Sequence, residues 1–191
     1  MSNNLTFQFA AAADFEAVLH LACQLAKQIE VGAPPLTFAQ FERYYLALHA
    51  PMRLLLAIHE DRVVGMISWT LTHELYSADA RVYISDVAVD SAARGKGIGK
   101  ALMAQVTAWA RAHNASKLGW EVWYRNFPAK AFYGQLGAVV DQEAIPYVLA
   151  LEDVSPQFPL QVRLTRPPHI ASPFSPTTRT SSASAGWPAR I

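Results

Sequence analysis

The sequence predicts an α/β domain built on a mixed sheet, from three observations. Short apolar strands of period two alternate with stretches of helical period. A glycine-rich loop, Arg94-Gly-Lys-Gly-Ile-Gly99, joins one such strand to a long amphipathic helix. The chain has 191 residues and a hydrophobic fraction of 52%, enough for one sizeable core and an appendage but short for two domains.

Taken in order, Leu5 to Ala10 (LTFQFA) alternates as a half-buried strand does. Asp14 is placed to cap a helix carrying Phe15, Val18, Leu19, Ala22, Leu25 and Ile29 at helical spacing. The stretch Val31 to Pro35 ends that helix, because proline disfavours helical geometry in the residue before it. Thr37 can cap a second helix with Phe38, Phe41, Tyr45 and Leu48, closed by Pro51. Met52 to Ile58 and Val63 to Leu71 form a hairpin across the polar turn His59-Glu60-Asp61-Arg62. Val82 to Val89 is the fourth strand, with Val82, Ile84, Val87 and Val89 as its apolar positions.

After the glycine loop, Ile98, Leu102, Val106, Trp109 and His113 line one face of a long helix that Asn114 or its neighbours end. Lys117 to Val122 is a fifth strand. Asn126 and Pro128 start a short helix that Gly137 stops, with proline near the first turn and glycine past the end. Ala138 to Val140 and Tyr147 to Leu151 complete a predicted set of about seven strands and four helices. From Glu152 the character changes. The last 40 residues hold seven of the 12 prolines, and the expected organisation is a domain over residues 1–151 with a loosely packed or disordered tail over 152–191.

Composition narrows the function classes. A net charge of +1 without long runs of one sign argues against a nucleic-acid-binding face. The single cysteine, Cys23, leaves no intrachain disulfide or metal cluster, and among Leu19, Leu21 and Leu25 it reads as a small buried thiol. No basic n-region opens the chain and no apolar run reaches membrane-spanning length, so a cytoplasmic protein without membrane contact is expected.

The chemistry concentrates in two motifs. Glycines and basic residues crowd a helix entrance, where unpaired backbone N–H groups and the helix dipole attract an anion. The loop is not a Walker A loop, since Lys100 is followed by Ala101, and its glycines are too evenly spaced for the dinucleotide fingerprint. What remains is R-x-x-G-x-G, from Arg94 through Gly97 to Gly99. The second motif runs from Asn126 to Gly137 (NFPAKAFYGQLG). Ala129, Phe132 and Leu136 share a helical face there, while Tyr133 is turned about a hundred degrees from Phe132.

Together and in this order, the two motifs resemble those of the GCN5-related N-acetyltransferase (GNAT) superfamily. The likeness spans Leu5 to Leu151 and implies that family's mixed sheet, splayed between the fourth and fifth strands. It implies that backbone groups of Val87, Ala88 and Val89 pair with the pantetheine of acetyl-CoA. The amides of Arg94, Gly95, Lys96, Gly97, Ile98 and Gly99 would hold its pyrophosphate, and Asn126 its arm. Tyr133 would protonate or hydrogen-bond the departing thiolate. Asp86, directly or through water, is the first candidate to take the proton of the attacking amine, and Glu121 the second.

The closest subgroup likeness is to polyamine and small-amine acetyltransferases. Their strand often carries Glu-Asp where this chain has Ser85-Asp86, so amino sugars and peptide amines stay open as acceptors beside polyamines. Glu30, Tyr44, Tyr45, Glu74, Tyr76, Trp120 and Trp123 could shape the acceptor site around a cation. The resemblance implies no metal, and it leaves room for a homodimer. A non-catalytic acyl-CoA sensor and a protein or peptide amine acetyltransferase are the alternative readings.

Overall fold

Strand pairing sets the frame. A computed structural model of the chain describes residues 5–142, 146 and 147. It arranges five strands in one sheet in the order β1-β2-β3-β4-β5. Strands β1 (Leu5–Phe9), β2 (Arg53–His59), β3 (Arg62–His73) and β4 (Ala80–Val89) form an antiparallel meander. Glu60 and Asp61, both in the left-handed region at φ 48° and 59°, make the tight turn between β2 and β3. The fifth strand, β5 (Ala115–Gly119), lies parallel to β4. A parallel neighbour requires a crossover, which α3 (Ile98–Ala112) supplies.

Helices cover both faces. On one, α1 (Phe15–Gln28) and α2 (Phe38–Phe41) pack Val18, Leu21 and Phe41 against Leu54, Leu56, Met66 and Ala88. On the other, Ile98, Leu102, Met103, Val106 and Ala110 of α3 meet Leu55, Ile67, Trp69, Val82 and Ile84. Helix α4 (Phe127–Gln135) adds Phe132, Tyr133 and Leu136 to that second cluster. Full burial of such side chains stabilises by about 1.5–3 kcal/mol each. Met1–Asp141 forms one compact unit, which contains every described element.

Several expectations need correction. Among the described residues the sheet has five strands, not seven. Ala138–Val140 forms no ladder, and Val139 and Val140 are 89% and 84% exposed. An apolar run becomes a strand only where a neighbour takes its backbone hydrogen bonds, and none among the described residues does. The seventh predicted strand lies outside the described residues except for Tyr147, and the tail from Glu152 lies wholly outside them. Strand β5 starts at Ala115 and stops at Gly119 rather than running from Lys117 to Val122. Cys23 is exposed, because the inward stripe of α1 passes through Val18, Leu21, Ala22 and Leu25 and leaves position 23 outside it.

Two caps also differ in detail. The Asp14 carboxylate reaches back to accept from the Ala11 N–H at 2.8 Å instead of capping α1. Thr37 does cap its helix, and Gln40 completes a reciprocal capping box beyond that expectation, but the helix widens into a π turn at Glu42–Leu46 after one α turn. No helix among the described residues is long and apolar enough to cross a membrane.

Candidate active site

Strand β4 is paired along its whole length on one edge and only in part on the other. Its ladder with β3 runs from Ala80 to Val89, whereas its ladder with β5 ends at Tyr83 opposite Gly119. Among the described residues nothing pairs with the β5-side edge from Ile84 onward, and β5 ends where this opening begins. The Asp90 N–H donates to the Val64 carbonyl at 2.9 Å, which fixes the phase of the antiparallel ladder. By that alternation Val87 and Val89 turn their N–H and C=O toward the opening, and Ala88, opposite Met66, turns its own toward β3. The Val89 carbonyl accepts from Arg94 Nε at 3.1 Å, so Arg94 braces the loop against the end of β4.

The glycine loop leads from this edge into α3. Gly95 and Gly97 sit at φ 77° and 81°, a conformation that costs other residues strain. Gly97 is the N-cap, and the first intrahelical bond runs from Ala101 N–H to the Gly97 carbonyl at 3.0 Å. No side chain caps the helix, and no acidic residue stands in its first turn. The N–H groups of Ile98, Gly99 and Lys100 are therefore free to bind an anion, with Lys96 and Lys100 exposed beside them. Gly99 faces α4. A Cβ there would lie 3.3 Å from Phe132 Cζ, a tight contact that the Phe132 ring would have to yield to by a few tenths of an ångström.

Helix α4 brings the second motif to the same opening. Asn126 is its N-cap, its Oδ1 accepting from the Ala129 N–H at 3.2 Å, which leaves the side-chain NH2 for other contacts. Tyr133 lies against Trp120, just past the end of β5, with ring centroids 4.8 Å apart, and against Phe132 at 5.1 Å. It is half-buried with the α3-side cluster, more enclosed than its offset from Phe132 suggests. Burial pushes its phenol above the ordinary value of 10.0, so it holds its proton at neutral pH.

The opposite face of the sheet presents a different chemistry, and a β-bulge creates it. Ser68 pairs with Asp86 and Trp69 with Ile84, so Ser85 has no partner. The extra residue reverses the alternation. Val82 and Ile84 face α3, then Val87 and Val89 do, and Asp86 is turned to the α1 side. There its carboxylate accepts from the buried Ser68 hydroxyl at 2.8 Å. Tyr45, from the π turn, joins them. Burial raises its phenol pKa first and the Asp86 charge second, while a hydrogen bond with Ser68 opposes the rise.

These three groups form the polar end of a cavity of about 260 Å³ whose walls include Leu25, Ile29, Val31 and Leu36. Glu121 stands beside Tyr83, whose phenol is pushed up by burial and by the Glu121 carboxylate that accepts its hydrogen bond. Tyr83 is out of phase with Val82 and Ile84, and so lies on the Asp86 side of the sheet.

Of the seven residues considered for the acceptor site, Tyr45 alone lines this cavity. Glu30 and Tyr44 are exposed, and Trp120 packs with Tyr133 instead. Trp123 contacts Tyr124. Glu74 pairs with Arg81 at 2.6 Å near the start of β4, away from Asp86, and Tyr76 is hydrogen-bonded to Glu74. Sequence reasoning missed Ser68 and Tyr83. Ser68 is concealed in an apolar run, but the three-residue step from Ile84 to Val87 already breaks the period of two and marks the bulge. No group of three or more metal-ligating side chains occurs among the described residues.

Comparison with known proteins is consistent with this geometry. The model of the acetyltransferase (GNAT) family matches residues 17–138. No curated protein matches the chain. Among solved structures, an integron cassette protein from the mobile metagenome of V. cholerae is 23% identical, with TM-score 0.64, covering 76% of this chain and 92% of its own. An acetyltransferase of Trypanosoma brucei is 24% identical with TM-score 0.58, covering 76% of this chain and 100% of that one. An aminoglycoside acetyltransferase from an uncultured soil metagenomic sample, in complex with sisomicin, is 17% identical with TM-score 0.66 over 78% of this chain and 97% of that one. These likenesses speak for the fold. The family match covers well over half of the chain, which belongs to the acetyltransferase (GNAT) family, a family of acyltransferases.

Proposed function

We propose that the protein transfers the acetyl group of acetyl-CoA to a primary amine of a small molecule by direct attack within a ternary complex. The observation that carries this reading is the open edge of β4. It begins at Ile84, ends at an uncapped helix N-terminus, and has Asp86 on one face of the sheet and Tyr133 on the other. The sisomicin-bound neighbour is an acetyltransferase of a small amine, which is consistent with that acceptor class.

The residues present fit acetyl-CoA. Backbone N–H groups from Gly95 to Lys100, with Lys96 and Lys100, suit a pyrophosphate because they offer bare donors and positive charge without an internal cap. Val87 and Val89 present amide-pairing groups to an extended pantetheine in the opening. The Val87 N–H is also placed to polarise a thioester carbonyl, where donors are most effective as negative charge develops on oxygen. Asn126 would contact the arm through its free NH2.

Asp86 receives the acceptor. An alkyl ammonium must lose a proton before its nitrogen can attack, and the Asp86 carboxylate, directly or through a water, takes it. Glu121, held by Tyr83, is the second acceptor for that proton. The nitrogen lone pair forms the new C–N bond to the carbonyl carbon, the C–S bond breaks, and the nitrogen's second proton passes through solvent to the departing thiolate. Tyr133 then donates a hydrogen bond to the sulfur. Its raised pKa favours a shared proton over complete transfer, since a thiol is the stronger acid of the two.

The test is release of free thiol from acetyl-CoA against polyamines, amino sugars, amino acids, simple alkylamines and peptides. Turnover with small amines supports the reading. Tight acetyl-CoA binding without turnover on any amine would support a sensor, and turnover on peptides alone would move the acceptor class.

A further inference from the structure

The cavity beside Asp86 has a chemistry of its own. Among the described residues that line it, Asp86 is the only charged group, and Ser68 and Tyr45 are the only other polar side chains. All three gather at one end. The rest of the wall is aliphatic, with Leu25 and Ile29 from the end of α1 and Val31 and Leu36 from the segment before α2. Val31 is 56% exposed, so the apolar lining continues to the mouth. The Val31 N–H is tied to the Ala26 carbonyl at 3.0 Å, which fixes that rim against α1.

We infer that the acceptor is a primary monoamine on an apolar body, seated with its ammonium on Asp86 and its hydrocarbon along Leu25, Ile29, Val31 and Leu36. The inference rests on the acetyltransferase reading above and departs from its polyamine and amino-sugar members. One carboxylate matches one ammonium. A second ammonium a few carbons away would be pressed onto aliphatic wall without a counter-charge, and desolvation of an unpaired charge opposes binding strongly. An aminoglycoside would lose the hydration of its hydroxyls against the same surface. The volume of about 260 Å³ falls just below the roughly 300–1,000 Å³ usual for drug-sized ligands, which also favours a compact acceptor.

The experiment compares kcat/KM for propylamine through hexylamine and phenethylamine with values for putrescine, spermidine and an aminoglycoside. Each methylene buried is worth about fourfold, so kcat/KM should climb by about that factor per carbon until the cavity is filled. Hexylamine should exceed putrescine by well over tenfold. A Val31→Glu variant, altered at the exposed rim where folding tolerates change, should lower hexylamine turnover and raise that of putrescine. A flat chain-length series, or preference for putrescine, spermidine or the aminoglycoside over every monoamine, overturns the inference and leaves the acetyltransferase reading standing. Absence of thiol release with every amine overturns both.

Discussion

Replacing Asp86 by Asn isolates one charge with little change in shape. The amide oxygen can still accept from the Ser68 hydroxyl, now 2.8 Å from the carboxylate, so the local fold should persist and Tm should stay within a few degrees. The negative charge at the head of the cavity is lost. A hydrogen bond to a charged partner contributes about 1.5–3 kcal/mol, which at 1.4 kcal/mol per decade is a roughly 10- to 150-fold fall in kcat/KM for the amine. The KM for acetyl-CoA should hold, because the glycine loop and the Val87–Val89 edge are untouched. A second readout comes from Tyr45. The Asp86 charge contributes to its raised pKa, so the variant's phenolate titration should shift downward, while burial, the larger cause, keeps it above 10.0. Steady-state kinetics and ultraviolet titration of both proteins measure the two effects. If Tyr45 shifts but kcat/KM stays within threefold of the parent, Asp86 faces the cavity without handling the amine, and its proposed role is wrong.

Tyr133→Phe keeps the ring between Trp120 and Phe132 and removes only the hydroxyl, so kcat should fall by roughly 10²-fold or more with acetyl-CoA affinity retained; an unchanged kcat excludes the thiolate role. Gly97→Ala meets no atom within 4 Å, so its cost is the strain of φ 81°, about 1–2 kcal/mol, and several degrees of Tm at this chain length. Gly97→Asp should in addition weaken CoA binding more than tenfold in calorimetry, and retained affinity would refute the pyrophosphate assignment. Above pH 10 the fold should lose stability. Tyr45 and Tyr133 keep their protons in the folded chain at pH values where the unfolded chain has released them, so their contribution, full below pH 10, fades as pH rises through the folded values. Denaturant melts of Tyr45→Phe/Tyr133→Phe should show a shallower alkaline decline, and equal slopes would contradict the burial of these phenols.

Local chemistry was legible where a residue acts on its own neighbourhood. The Thr37 cap, the Asn126 cap and the left-handed Gly137 all stand where sequence spacing puts them. So do the four meander strands, α1 and α3, because their periodicity is strong. What the sequence did not disclose depends on partners. Lys117–Val122 has strand composition throughout, yet its ladder stops at Gly119, opposite Tyr83, where β4 and β5 part. Ala138–Val140 has no partner edge among the described residues. Ser68 is one hydroxyl in an apolar strand, and its value comes from Asp86, eighteen residues later. Tyr45 reaches the site from a π turn, a change that composition does not signal.

In the proposed reaction, the bulge at Ser85 lets β4 serve the site as well as the core. Were the strand regular through Ser85, a period of two from Val82 and Ile84 would carry Asp86 onto the α3 face, into the apolar cluster. An unpaired carboxylate there would be costly to bury. With the bulge, the same strand serves two environments. Its side chain at 86 addresses the acceptor cavity, while the N–H and C=O of Val87 and Val89 address the opening left by β5. In the proposed reaction, adjacent residues of one strand would bring nucleophile and thioester together. One serine out of register thus turns Asp86 and the edge groups of Val87 and Val89 to different surroundings within two residues.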